Sequence, residues 1–369
     1  MIIAFLKRHW WWIVPLIIAD IFFFRWLWNR PQGMEREVPT AAEERVESEP
    51  ALPPGLVYGY PTDQRHLYNT ESLEVYQPTA AGRVESALYG SVRTVQSGGR
   101  LLPSFHAGLD IAALRRDRRG RPLDEIYAVT DGTVAYINPV AGNSNYGIYI
   151  VLVHPDPMGD IFTLYAHLAR VRDGLRAGQK VRRGEVLGVM GNTSSGGGIP
   201  MHRAHLHFEI GMINNMRFHS WYRKQNQVPD HGTYHGHNLT AINPLAIYGD
   251  GGGEIEFRML DYLRRKPPAF ELVFRSSMPL DYFNRYPGLW EGPPYEGGAM
   301  TVTVSEGGVP LRGRSATPEE VGALGNARAR VLSVDEDVLG RNGRRIIVRR
   351  GGRWHLGRNG ERWLEIMTY

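Results

Sequence analysis

Three segments of the chain carry side chains that can bind a metal ion and transfer protons. They read His106-Ala-Gly-Leu-Asp110, Tyr165-Ala-His167-Leu168 and His205-Leu-His207-Phe-Glu209-Ile210. Taken singly, each has a plain structural explanation, because a His-x-His pair on a strand is more often a surface pair and a lone histidine is more often a core residue. Their conjunction in one stretch of the chain favours a metal site.

The third segment alternates polar and apolar residues, which is typical of a β-strand with one face in the core. The apolar members, which we expect in the core, are Leu206, Phe208 and Ile210. His205 and His207 then lie side by side on the open face, together with Glu209. One histidine can bind a metal while its neighbour transfers protons, and Glu209 can orient a ligand through a hydrogen bond.

The first segment can supply two more ligands, His106 and Asp110, and Gly108 between them permits a tight backbone path. Two histidines and one aspartate leave a fourth position open, which distinguishes catalytic from structural zinc. A zinc ion lowers the pKa of water toward ~7 and so generates a nucleophile near neutral pH. One remaining histidine would deprotonate that water, and another would donate hydrogen bonds to the developing oxyanion.

Composition limits the chemistry and the number of domains. The 369 residues are enough for two domains. Because the chain has no cysteine, it can form neither disulfides nor a thiolate metal site, and any zinc must use histidine or carboxylate ligands. The net charge of +5 suits an anionic polymer or a membrane surface but proves neither. No nucleic-acid motif accompanies it, so we expect no nucleic-acid partner.

The N-terminal region predicts a membrane anchor at residues 1–30. The apolar stretch from Trp10 to Trp28 is long enough to cross a bilayer, with tryptophans at both ends. A cleaved signal peptide is the alternative, but no small-x-small cleavage site follows the apolar run. Asp20 within the span marks either a partner helix or a tilted, water-accessible face. Residues 31–56 are rich in proline and glutamate, which predicts a disordered tether.

The rest of the chain predicts a mostly β fold with antiparallel, sandwich-like packing. Short runs of β-branched and aromatic residues alternate with Gly, Asn and Asp turns, and long helical periodicity is missing. We divide this part into residues 57–250 and a smaller β-rich domain at 251–369, in which 254–265 can form one helix. The motif Leu-Gly-Arg-Asn-Gly at 339–343 and 356–360 predicts two tight turns. The predicted strands are 126–129, 132–137, 148–153, 162–167, 186–190, 270–274, 300–304, 329–334 and 345–350.

The stretch from about Ala87 to Leu245 resembles the M23 family of zinc metallopeptidases, also called lysostaphin-like or LytM domains. The resemblance is ordered along the chain and covers under half of it. The resembling residues are Tyr89-Gly90-Ser91-Val92-Arg93, His106 to Asp110, Asp131-Gly132-Thr133-Val134, Tyr146-Gly147, His154, Thr163 to Leu168, Val181 to Gly188, Gly191-Asn192-Thr193 and His205 to Glu209.

The resemblance implies roles for five residues. His106, Asp110 and His207 would bind Zn²⁺, and His167 and His205 would be the catalytic pair. The implied substrate is the peptide part of peptidoglycan, as cross-bridge or stem peptide. His154 occupies a position where the family often has a histidine, which we expect to form hydrogen bonds.

Three stretches depart from the family pattern, and we expect them to line or cover the cleft. They are residues 111–125, the loop 194–204, and 217–238 with its additional histidines. One interpretation of His202, His231, His235 and His237 is a further metal site, and the other is solvated loops. Residues 341–362 carry eight arginines, which form either a surface that binds the anionic cell wall or a solvated hairpin face.

The motifs and the family resemblance together predict a zinc-dependent peptidoglycan endopeptidase. A single membrane helix would hold this hydrolase on the inner membrane, with its catalytic domain in the periplasm or outside. A protein activator is a further possible partner. The alternative is a scaffold without catalysis that binds the cell wall or regulates an amidase. The complete set of five residues counts against the scaffold, whereas the long insertions leave it open.

Overall fold

The computed structural model describes residues 54–97, 100–228, 231–249 and 253–369. The predicted anchor at 1–30 and the tether up to residue 53 lie outside these ranges. None of the helices in the described ranges combines the length and the apolar character needed to span a bilayer. Residues Pro53–Tyr369 form one compact unit, and the predicted division at residue 250 stays a prediction.

The first part of this unit is built on a nine-stranded sheet, in which neighbouring strands are antiparallel. The strands of this part are β1 Leu56–Val57, β2 Val92–Ser97, β3 Arg100–Phe105, β4 Leu109–Ala112, β5 Glu125–Tyr127, β6 Gly132–Asn138, β7 Ile148–Asp156, β8 Gly159–Val171, β9 Lys180–Val181, β10 Val186–Met190, β11 His205–Ile213 and β12 Leu239–Ile242. The order in the nine-stranded sheet is β12-β11-β8-β7-β6-β9, with β4 also paired to β11 and β10 paired to both β5 and β8.

The strands of the C-terminal part are β13 Glu256–Phe257, β14 Phe270–Ser276, β15 Trp290–Glu291, β16 Gly298–Val304, β17 Pro310–Ser315, β18 Ala329–Val334, β19 Ile347–Arg350 and β20 Arg353–Leu356. Five of them form a sheet in the order β15-β17-β16-β14-β18, with one parallel pair, β15 and β17. The helices of the described ranges are α1 Phe218–Lys224, α2 Met259–Arg265, α3 Asp281–Arg285, α4 Pro318–Leu324, α5 Glu336–Leu339 and α6 Arg358–Thr368.

The mostly β prediction is confirmed, and several predicted strands agree closely with the structure. The strands at 186–190 and 329–334 have the predicted bounds, and the others differ by a few residues at their ends. The predicted helix over 254–265 begins later, at Met259, because Phe257 pairs with Leu56 in a two-stranded sheet. Local sequence favours a helix there, but the partner strand lies far away in the chain.

One of the two predicted tight turns is wrong. In the first Leu-Gly-Arg-Asn-Gly motif, Gly340 and Asn342 have φ of 55° and 48°, as a turn requires. In the second motif, Asn359 and Gly360 lie inside α6. Gly360 is needed there for close packing, because a Cβ at this position would lie 2.0 Å from the carbonyl oxygen of Ile346.

A buried histidine links the turns of the sheet to its core. Nδ1 of His154 donates a hydrogen bond to the carbonyl oxygen of Asp131 at 2.7 Å, and Nε2 pairs with the hydroxyl of Thr163 at 2.7 Å. The predicted hydrogen-bonding role is therefore confirmed. Burial lowers the pKa of His154 to about 4, so the folded protein holds the ring neutral.

We predict that His154 makes stability depend on pH between about 6.5 and 4. The unfolded chain binds a proton below the ordinary pKa of 6.5, whereas the folded chain resists protonation until about 4. The stabilisation is therefore complete above pH 6.5 and is lost as pH falls toward 4, by about 3 kcal/mol in total. Urea unfolding at pH 7, 6 and 5 should show a steeper fall for the wild type than for His154→Gln. Exposed His355→Gln is the control, and equal slopes for the wild type and His154→Gln would contradict the assignment.

Candidate active site

Strand register brings the first and third histidine segments together. On the paired strands β4 and β11, Asp110 lies directly opposite His207, and His205 lies opposite Ala112. On its other edge β11 pairs with β8, where His207 lies opposite Ala166. His106 precedes β4 in the short connection from β3. Side chains from separate segments therefore meet at one point on β11.

Three ligand atoms converge within hydrogen-bond distance of one another. Nε2 of His106 lies 3.0 Å from Oδ1 of Asp110 and 3.1 Å from Nδ1 of His207, and the last two atoms are 2.8 Å apart. All three residues are buried. This His-Asp-His group satisfies the geometric requirement for a metal site.

The outer hydrogen bonds determine which ring nitrogens face inward without a proton. Nδ1 of His106 donates to the carbonyl oxygen of Leu88 at 2.9 Å, and Nε2 of His207 donates to Oε1 of Glu209 at 2.8 Å. In the neutral rings, Nε2 of His106 and Nδ1 of His207 are then acceptors, as is the Asp110 oxygen. Three acceptors that face each other repel unless a cation lies between them, so the donor set fits a metal ion.

Interactions with neighbouring side chains keep Asp110 ionised. Burial on its own would raise its pKa, but His106, His205 and Arg93 together hold it well below the usual range. Arg93 contacts the other carboxylate oxygen, Oδ2, at 2.5 Å. Asp110 therefore offers Oδ1 to the site while Oδ2 stays paired with the guanidinium.

The two ligand histidines have opposite tendencies to hold a proton. Burial lowers the pKa of His106. Burial also acts to lower the pKa of His207, but hydrogen bonds with Asp110 and Glu209 outweigh it and raise the pKa to about 9. A proton on Nδ1 of His207 relieves the repulsion at the position that a metal ion would take, so proton and metal compete for the same atom.

The predicted catalytic pair lies beside this group. The ring centroids of His167 and His205 are 4.9 Å apart, and His167 and His207 are 5.8 Å apart. Nδ1 of His167 donates to the carbonyl oxygen of Thr193 at 2.8 Å, and Nδ1 of His205 donates to that of Arg203 at 2.7 Å. Each ring thus has Nε2 available as an acceptor, and Nε2 of His205 lies 3.4 Å from Oδ1 of Asp110.

The backbone of His167 adopts an uncommon conformation. Its φ is 63°, a left-handed value that costs energy in residues other than glycine. Its N–H donates to the carbonyl oxygen of Tyr146 at 2.9 Å. Burial and the neighbouring imidazoles lower the pKa of His167 well below its ordinary value, so this ring is a neutral base.

Glu209 joins the site to an aromatic side chain. Its Oε1 accepts hydrogen bonds from Nε2 of His207 and from the hydroxyl of Tyr146, each at 2.8 Å. The interaction with His207 agrees with the orienting role predicted from strand alternation. The apolar partners on β11 also lie in the core as predicted, since they are fully buried: Leu206, Phe208 and Ile210.

The predicted open face of β11 is wrong. His205, His207 and Glu209 are buried along with every other residue of this strand. Side chains from connecting loops pack over this face, among them Tyr146, which contacts the His207 ring and Glu209. A cavity of about 890 Å³ reaches the site from solvent and is lined in part by His106, His167, His207 and Glu209. We call it the site cavity; its volume is ordinary for a ligand pocket.

The insertions contribute unequally to the site cavity. The prediction that the insertions line the cleft is confirmed for His231, His235 and His237 of the stretch 217–238. Ser195 of the loop 194–204 also lines the cavity. Residues 111–125 do not line it. Instead, Arg116 donates to the carbonyl oxygens of Met201 and Ala204 at 2.9 and 3.0 Å, which braces the chain before β11. The described residues contain no second group of metal-binding geometry, so nothing supports the further metal site.

Sequence reasoning missed three contributions to the site. Arg93 and Tyr146 both belong to the motifs that carry the family resemblance, but the sequence assigned neither of them a role. The carbonyl oxygens that orient His106, His167 and His205 left no signal at all, because a backbone acceptor is present at every residue. Only the three-dimensional path of the loops determines which carbonyl faces which ring.

The structure thus defines a mostly β domain built around a buried His-Asp-His group suited to a metal ion. Residues 104–219 match the family model of Peptidase family M23, so the chain carries a domain of this family. The resemblance drawn from the sequence motifs is confirmed. No curated protein matches the chain.

Several solved structures are similar to parts of the chain. A zinc-containing peptidase from Vibrio cholerae is 25% identical over 37% of this chain and 35% of that chain, with a TM-score of 0.23. Helicobacter pylori Csd3 is 17% identical over 55% of this chain and 37% of that chain, with a TM-score of 0.30. The catalytic domain of lysostaphin from Staphylococcus simulans is 22% identical over 34% of this chain and 76% of that chain, with a TM-score of 0.24. The chain thus spans little more than a third of the first two.

We predict that the purified chain binds about one zinc ion and that this ion depends on the His-Asp-His group. His207→Ala removes one of three ligands, so zinc content should fall to near zero. His235→Gln is the matched control, because His235 lines the same cavity outside the group, and it should keep its zinc. Elemental analysis by mass spectrometry measures both, with circular dichroism to verify folding. Retention of zinc by His207→Ala would rule out this site.

We predict that Gly108→Ala disrupts the site through the backbone. A Cβ at this position would lie 2.3 Å from the carbonyl oxygen of Phe208, so β4 and β11 must separate. The expected cost is about 1–3 kcal/mol of stability, with loss of bound zinc. In the control Gly142→Ala nothing lies within 4 Å of the new Cβ. Thermal unfolding and zinc content that match in both variants would show that the close approach is unimportant.

Proposed function

We propose that this protein is a zinc-dependent peptidoglycan endopeptidase that hydrolyses peptide bonds in cell-wall cross-links or stem peptides. One observation carries the proposal: three inward-facing acceptor atoms lie within 3.1 Å of one another, beside two further imidazoles with available Nε2 atoms. A binding module has no need for two such bases next to a buried metal-type group. The M23 domain supports the same class of reaction.

In this proposal His106, Asp110 and His207 hold the zinc ion through Nε2, Oδ1 and Nδ1. Zinc at this site would act as a Lewis acid and lower the pKa of water toward ~7. The chain contributes orientation: Leu88 and Glu209 fix the ring planes of the two histidines, and Arg93 fixes the carboxylate. These outer contacts hold the ligand atoms in place before the metal binds.

His205 and His167 carry the proton transfers. Nε2 of one ring accepts a proton as water adds to the peptide carbonyl carbon, and the C–N bond then breaks as a proton passes to the leaving amine. The other ring, when protonated, donates a hydrogen bond from Nε2 to the developing oxyanion. The carbonyl oxygens of Arg203 and Thr193 keep both rings oriented by holding their Nδ1 protons.

The proposed substrate and location follow from the family and the N-terminal sequence together. The proposed target is the peptide part of peptidoglycan, with D-Ala to diaminopimelate cross-links as the expected bond. An anchor at residues 1–30 would hold the enzyme on the inner membrane, with the catalytic domain in the periplasm. The acidic tether, which ends before Leu56 of β1, would then limit cleavage to cell wall within reach of the membrane.

We predict that replacing His205 separates catalysis from zinc binding. His205 is not a ligand in this proposal, so His205→Ala should keep about one zinc per chain while cleavage falls by at least ~100-fold. The assay is digestion of purified peptidoglycan by the full chain, with products identified by mass spectrometry. His235→Gln, which alters the site cavity outside the reaction, is the control.

Each outcome of this experiment has a distinct meaning. Cleavage that a chelator abolishes and that His205→Ala lacks would support the endopeptidase and identify its bond. Bound zinc without cleavage by the wild type would favour the scaffold that binds the wall or regulates an amidase, or an enzyme that requires a protein activator. Full activity of His205→Ala would contradict its proposed role.

A further inference from the structure

One charged residue of the site cavity comes from the C-terminal part of the chain. Arg344 lies between α5 and β19 and lines the cavity together with His106, His167 and His207. It belongs to the arginine-rich stretch 341–362, for which the sequence left two interpretations open. Because Arg344 lines the cavity, the interpretation of this stretch as a solvated hairpin face does not apply to Arg344.

Close backbone packing fixes the segment that carries Arg344. A Cβ at Gly343 would lie 2.6 Å from Cγ2 of Val92, so only glycine allows this approach. A Cβ at Gly307 would lie 2.2 Å from the hydroxyl oxygen of Tyr89, which shows that the neighbouring β16–β17 loop is equally close. The side-chain amide of Asn359 donates to the carbonyl oxygen of Arg344 at 2.8 Å.

The guanidinium of Arg344 is oriented on one side and available on the other. Its Nε donates to the carbonyl oxygen of Gly307 at 3.0 Å, and its carbon lies 5.1 Å from the centroid of the Phe105 ring. Neither contact uses the two terminal nitrogens, which make no hydrogen bond to any described residue. They form a fork that matches the geometry of a carboxylate.

Arg344 is also the cavity's uncompensated charge. The other charged lining residues are both engaged, since Arg93 pairs with Asp110 and Glu209 accepts from His207. Among the described residues Arg344 has no carboxylate partner. Burial and the guanidiniums of Arg362 and Arg344 lower the pKa of neighbouring His237 to about 4, so this part of the cavity is held positive by arginine alone.

We propose that Arg344 is a specificity-determining residue that binds a carboxylate of the peptide substrate within the site cavity. The inference rests on the proposed function and adds the substrate chemistry: a peptide with a free carboxylate near the bond that is cut. That carboxylate is either the peptide's C-terminus or an acidic side chain. The C-terminal part of the chain thereby contributes directly to the substrate site.

The test measures binding rather than turnover, on the full chain with its metal removed, because a carboxylate can also ligate zinc. The probes are synthetic stem-type peptides in two matched pairs. One pair differs only in a free or amidated C-terminus, and the other differs only in a glutamyl or glutaminyl residue. Calorimetry compares the wild type with Arg344→Gln. The control is Arg345→Gln, which makes the same charge change at an exposed residue that does not line the cavity.

The wild type should bind the carboxylate member of one pair ~10- to 100-fold more tightly than its amide twin, as expected for a charge-assisted hydrogen bond. The pair that shows the preference identifies the source of the carboxylate. Arg344→Gln should lose the preference, and Arg345→Gln should keep it. Arg344→Lys keeps the charge without the fork and should show an intermediate preference, which provides a test if the glutamine variant does not fold.

Equal binding of both members in both pairs by the wild type would overturn the inference, as would a full preference in Arg344→Gln or Arg344→Lys. These results are independent of catalysis. A carboxylate preference in a protein that cuts no peptidoglycan would refute only the proposed hydrolysis. Cleavage without any preference would refute only the role of Arg344.

Discussion

The site depends on one electrostatic constraint, which is that three acceptor atoms face one another at about 3 Å inside the protein. A buried acceptor without a donor costs about 1–3 kcal/mol, and a buried carboxylate costs more. Without a positive charge between them, these atoms of His106, Asp110 and His207 would repel one another. Either a proton, which the raised pKa of His207 indicates, or a metal ion must occupy the centre, and the metal ion satisfies all three atoms at once.

The surrounding sheet holds these three acceptor atoms close together. Register on β11 sets Asp110 against His207, and the absence of a side chain at Gly108 lets β4 come close enough for that pairing. The outer hydrogen bonds to Leu88 and Glu209 then direct the bare ring nitrogens inward. Because each of these contacts joins a different strand or loop, the group forms only when the sheet has folded.

Local sequence predicted those parts of the structure that depend on near neighbours. Alternation placed Leu206 in the core and His207 beside Glu209, and β-branched runs placed β10 within its bounds. Contacts between distant segments explain the failures. Glu256–Phe257 becomes a strand because Leu56–Val57 pairs with it, and Gly360 lies in a helix because the carbonyl of Ile346 approaches it. Local sequence could not predict the position of Arg344 either, because Arg344 lines the site cavity only through packing between the two parts of the chain.

We propose that the His-Asp-His group holds a metal ion through three specified atoms. Anomalous diffraction at the zinc absorption edge from crystals of the purified chain tests this most directly. We expect one strong peak at about 2.0–2.2 Å from Nε2 of His106, Oδ1 of Asp110 and Nδ1 of His207. A zinc-replete crystal with no peak there, or with its peak at His231, His235 and His237 instead, would show that these three atoms do not hold the ion.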